Sequence, residues 1–144
     1  PDTITLVFLP GLTADHRLFD KQIQYFENRY NVIVWDAPAH ASSWPFRFDF
    51  DLFDKAKWLN DILNQEGITR PVIIGQSMGG YVGQVYAQMC GTQDHAGSCI
   101  RYNKAWHRNT KIPLMWIEGA GHNSNTDKPE QVNRLIEELV ANIS

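Results

Sequence analysis

Pro71-Val72-Ile73-Ile74-Gly75-Gln76-Ser77-Met78-Gly79-Gly80 passes from an apolar, β-branched run into a serine set among glycines, and then into a helix-like pattern over residues 79–89. The short apolar run is that of a strand buried on both faces. A helix that starts directly after such a strand forces a sharp turn at Ser77, and Gly75, Gly79 and Gly80 remove the Cβ atoms that would collide there. The segment therefore predicts strand, tight turn and helix, with small residues letting the helix pack closely on the sheet. Amides of the first helical turn would point at the serine, where a developing negative charge would be stabilised. Ser77 is the candidate nucleophile.

Outward from this segment the same alternation repeats. Thr3 to Leu9 reads as a buried strand closed by Pro10-Gly11, and Asn31 to Trp35 as a second, closed by Asp36-Ala37-Pro38. Between them Leu18, Phe19, Ile23 and Phe26 recur at helical spacing, as a crossover helix between parallel strands requires. Leu52, Ala56, Leu59 and Leu63 form one helical stripe that stops at Gly67. Ile112 to Ile117 predicts a fourth strand. Asp127-Lys128-Pro129-Glu130 has the pattern of a capping box with proline in the first turn, opening an amphipathic helix through Val132, Leu135, Ile136 and Leu139. No strand is assigned between Cys90 and Thr110. The expected class is α/β, a mostly parallel sheet with helices on both faces, in a single domain over residues 1–144.

Composition narrows the function classes. A chain of 144 residues, 43% hydrophobic and 20% charged, has the balance of a globular domain, and its apolar runs are too short to span a bilayer. A net charge of -3 without a local Lys/Arg cluster argues against nucleic acid as a partner. Cys90 and Cys99 lack CxxC or zinc-finger spacing and read as reduced thiols, with a disulfide as the alternative. Pro1 to Thr5 carry no basic flank or cleavage site of a signal peptide, and the expected compartment is the cytoplasm.

The segment around Ser77 and three others, spread along the chain in the family's order, resemble the α/β-hydrolase family. Gly75-Gln76-Ser77-Met78-Gly79 is similar to its G-x-S-x-G nucleophile elbow. Phe8-Leu9-Pro10-Gly11-Leu12 resembles the loop that donates one oxyanion-hole amide, so the resemblance implies Leu12 and Met78 N–H as the two donors. Asp36-Ala37-Pro38-Ala39-His40 is similar to the family's Asp-x-Pro-Gly-His-Gly stretch, with Ala39 and Ala41 in place of its glycines. Glu118-Gly119-Ala120-Gly121-His122-Asn123 resembles the loop of the catalytic histidine. His122 is accordingly the expected base, since an imidazole near its ordinary pKa can take the serine proton and return it to a leaving group. His16, His40, His95 and His107 stand in less specific contexts.

Gly91-Thr92-Gln93-Asp94-His95-Ala96-Gly97 resembles the family's acid loop and makes Asp94 the expected acid, which would orient His122 and stabilise its imidazolium. Asp36 is its rival, and Asp127 reads as a helix cap. Family members usually carry a strand, a cap region and a further strand before the acid loop. Their absence leads us to expect an omitted or deleted segment, cap plus two strands, near residues 89–91. The resemblance implies a serine hydrolase acting on a small acyl substrate without metal or organic cofactor. Relatives that cleave C–C bonds or eliminate cyanide, and a non-catalytic binding protein of the same fold, are the alternatives. Dinucleotide binding is disfavoured because no G-x-G-x-x-G opens a helix.

Overall fold

The computed structural model of the chain describes residues 4–37, 50–90 and 117–143. β1 (Thr5–Leu9) is followed by a 3-10 turn (His16–Phe19), α1 (Asp20–Phe26) and β2 (Asn31–Val34); then come α2 (Leu52–Gln65), β3 (Pro71–Gly75) and α3 (Met78–Cys90). A helical turn, α4 (Ser124–Asp127), and the long α5 (Pro129–Ile143) complete the described chain. The expected strand at Ile112 to Ile117 lies outside the described residues up to Ile117. So do Asp94, Cys99 and the expected junction near 89–91 from residue 91 onward.

The three described strands are parallel in the order β2-β1-β3, with Val7 level with Ile33 on one side and Ile73 on the other. β1 is buried at every residue. Its side chains alternate between two cores, because successive residues of a strand point to opposite faces. Leu6 and Phe8 meet Phe19 and Phe26 from the α1 region and Ile136 and Val140 from α5. Val7 and Leu9 meet Leu59 and Leu63 of α2 and Val82 of α3. Each such large apolar side chain contributes about 1.5–3 kcal/mol by leaving water. β2, expected to be as buried as β1, is half-buried. It pairs only with β1 among the described strands, whereas β1 is central.

Local signals agree with this layout. Asp51 accepts from the Asp54 N–H at 3.0 Å and Asp54 from the Asp51 N–H at 2.9 Å, a reciprocal cap that starts α2. At its other end Gly67 adopts φ +66°, with Gly67 N–H bonded to the Asn64 carbonyl and Ile68 N–H to the Leu63 carbonyl. That is the paired closure which a left-handed residue permits.

Candidate active site

Parallel strands bring their C-terminal ends to one edge of the sheet, and the described candidates, Leu12, Ser77, Met78 and His122, collect there. Gln76 continues the β1–β3 ladder by donating its N–H to the Leu9 carbonyl at 3.0 Å. Ser77 turns the chain with φ +54°, in the left-handed region, and α3 begins at Met78. The turn closes through Gly79 N–H to the Gln76 carbonyl at 2.9 Å and Gly80 N–H to the Ser77 carbonyl at 3.0 Å. A Cβ on Gly75 would stand 2.5 Å from the Gly79 carbonyl, and one on Gly79 would collide with the Leu9 carbonyl. The glycines are thus a steric condition of the elbow.

The loop after β1 presses on this turn. A Cβ on Gly11 would overlap the Gln76 Oε1 and lie 2.9 Å from the Ser77 Cβ. Ala14 N–H donates to the Gly11 carbonyl at 3.2 Å, and Thr13 takes φ +65°, so the loop turns tightly with Leu12 at its exposed tip. Met78 is the first residue of α3, and its N–H has no acceptor within the helix. Ser77, Leu12 and Met78 therefore belong to one assembly.

His122 is exposed on the loop leading into α4. Buried Gln76 ties this loop to the elbow: its Nε2 donates to the His122 carbonyl at 3.3 Å and to Asn123 Oδ1 at 2.8 Å. Gly121 N–H donates to the Asp127 carboxylate at 2.8 Å. Asp127, expected to cap the C-terminal helix, ends the separate turn α4 and braces the histidine loop, because its side chain meets that loop's amide. Below, Gln22 donates to the Asn125 carbonyl at 3.0 Å and Asn133 Oδ1 at 3.1 Å, anchoring α4 and α5 to α1.

Asp36, the rival acid, stands just beyond β2, where its carboxylate accepts the His16 N–H at 3.0 Å and meets His16 Nδ1 at 3.1 Å. It joins the loop after β1 to the end of β2. Sequence reasoning passed over three groups here: Gln76, the His16–Asp36 pair, and Lys55, whose amine lies 3.5 Å from Met78 Sδ. Lys55 alone was visible beforehand, as a charge on the apolar stripe of α2 at helical spacing from Leu52 and Leu59. The other two depend on contacts distant in sequence. Among the described residues no cluster of His, Cys, Asp or Glu is arranged to hold a metal ion.

Known proteins share this fold. A predicted CIB-like hydrolase from Thermoplasma acidophilum superposes with a TM-score of 0.79 at 20% identity, over 98% of this chain and 87% of its own. MGS-MChE2, an α/β hydrolase enzyme from the metagenome of sediments from the lagoon of Mar Chica, Morocco, gives a TM-score of 0.74 at 15% identity, over 97% of this chain and 91% of its own. No curated protein matches the chain in sequence. The family model for the α/β-hydrolase fold matches residues 4–100, more than half of the chain. With the parallel sheet, the covering helices and the glycine-lined turn at Ser77 in agreement with it, this chain belongs to the α/β-hydrolase family.

Proposed function

We propose that this protein is a serine hydrolase that cleaves a carboxylic ester or a related acyl bond. Ser77 Oγ attacks the acyl carbon and passes its proton to His122, while Leu12 and Met78 N–H hold the oxyanion. The bond to the leaving alcohol then breaks, and the alcohol departs with the proton from His122. Water, deprotonated by His122, attacks the acyl-serine and releases the acid and Ser77. Asp94 is assigned, through the family resemblance alone, to orient His122 and stabilise its imidazolium. This acyl transfer requires neither metal nor organic cofactor, and the sparse cysteine content favours the cytoplasm as its compartment.

The observation that carries the reading is the backbone of Ser77. A serine at φ +54° costs about 1–3 kcal/mol relative to an ordinary conformation, and such strain gathers at functional turns. A glycine would serve a merely structural turn better. The test is covalent labelling with a fluorophosphonate, followed by mapping of the modified residue. Labelling at Ser77 that vanishes in Ser77→Ala is expected; an unlabelled native protein, or labelling at another serine, would overturn the assignment.

A further inference from the structure

On the face of the sheet covered by α2 and α3 lies a buried lysine whose amine has no anion beside it among the described residues. Lys55 is only 5% exposed, although it is a lysine in the first turns of a surface helix. Its Nζ lies 3.5 Å from Met78 Sδ and 5.3 Å from the centre of the Phe50 ring. Among the described residues it has no carboxylate or carbonyl partner. The carboxylates nearest in sequence, Asp51 and Asp54, each accept the other's backbone N–H. A thioether is a weak acceptor and a ring face attracts a cation modestly, so neither replaces the hydration that the ammonium has lost. Burial accordingly pushes the Lys55 pKa down.

Two further features of this face favour an acceptor or an anion. The Trp35 indole N–H, in the same apolar cluster as α2 and α3, is buried without a partner among the described residues. The first turn of α3 carries no acidic residue of its own to offset the positive potential of its amides. Met78 follows Ser77 directly, which leaves Lys55 one methionine side chain away from the elbow. An unbranched thioether side chain changes rotamer readily and can give way to a ligand.

We propose that Lys55 is a specificity-determining residue that recognises a carboxylate on the acyl part of the substrate, so that the preferred substrates are half-esters of short dicarboxylic acids. This rests on the serine-hydrolase reading of Ser77. A carboxylate reaching Nζ would form a charge-assisted hydrogen bond and supply a countercharge that the described residues do not. A neutral acyl chain would leave the amine as it is.

The experiment compares kcat/KM for the p-nitrophenyl half-ester of glutarate with that for p-nitrophenyl butyrate, in the full chain and in its Lys55→Met variant. The native protein is expected to favour the half-ester, and the substitution to lower the ratio of the two by about 10- to 100-fold. A ratio that Lys55→Met leaves unchanged overturns the proposal even if both rates fall, because packing damage affects both esters alike. If neither ester is hydrolysed and Ser77 resists the fluorophosphonate, the serine-hydrolase reading fails. Lys55 is then judged by calorimetric titration of glutarate into the Ser77→Ala chain: saturable binding lost in the double variant with Lys55→Met supports carboxylate recognition, and absence of binding overturns it.

Discussion

Ser77 and Gly79 make opposite demands on the same turn. Ser77 is a side-chain-bearing residue where the backbone, at φ +54°, favours glycine; Gly79 stands where any Cβ meets the Leu9 carbonyl. Ser77→Gly should therefore raise stability over Ser77→Ala, by about 1 kcal/mol once the greater freedom of glycine in the unfolded chain is set against the relieved strain. Urea unfolding of the two variants measures this, and a less stable glycine variant would contradict the strain argument. Gly79→Ala should destabilise by about 3 kcal/mol or more, since the obstacle is backbone in a packed sheet rather than a movable side chain. A melting temperature close to that of the native protein would show that the elbow can yield. The glycines were readable as a steric requirement from their spacing. The carbonyl of β1 for which Gly79 makes room was not.

Between elements, Gln76 and Asp36 do comparable work on two different loops. Gln76 binds the histidine loop from the elbow, and its truncation leaves the His122 carbonyl and Asn123 Oδ1 without that donor. Gln76→Ala is expected to speed amide hydrogen exchange across residues 119–124 and, under the proposed role of His122 as base, to lower turnover by roughly 10-fold, because a small displacement of that group is costly to transition-state geometry. Unchanged exchange there would remove the tether from the argument. Asp36 binds the loop after β1 through His16. Asp36→Asn keeps an acceptor for the His16 N–H, so turnover should fall less than about 10-fold, whereas Asp94→Asn should lower it by several powers of ten. The reverse order in steady-state rates would transfer the acid role to Asp36. Helix positions were legible in the 3.6-residue stripes and in the Gly67 stop; the brace from Asp127 to Gly121 was not, because it joins a loop to the end of a separate turn.

For the molecule as a whole, Lys55 makes stability depend on pH on the alkaline side. Folding lowers its pKa below the ordinary 10.5, so between the folded value and 10.5 the unfolded chain holds the extra proton. Stability rises with pH across that window and carries its full penalty below it, where the amine is charged in both states. Lys55→Met, of similar length and without the charge, should stabilise the fold at pH 7 by about 1 kcal/mol, or about 3 °C in Tm, with a gain that shrinks toward pH 10. Denaturant unfolding at both pH values checks this. A loss of stability at pH 7 would mean that the amine has a favourable partner after all.

The α/β class, the crossover helices and the elbow follow from local physics: β-branched runs, helical stripes and glycines are patterns of neighbouring residues, and each dictates its own backbone geometry. Ser77 could likewise be picked out from its own segment, whereas the His122 loop was singled out by its resemblance to the family's histidine loop. Folding added the relations among them. It sets β1 between β2 and β3 with a core on each face, sets Gly11 against Ser77, and lets Gln76 reach the histidine loop. It also engages Asp36 with His16 and encloses Lys55 beside Met78. These contacts join positions far apart in the chain, and their geometry exists only after the sheet has aligned the C-terminal ends of its strands.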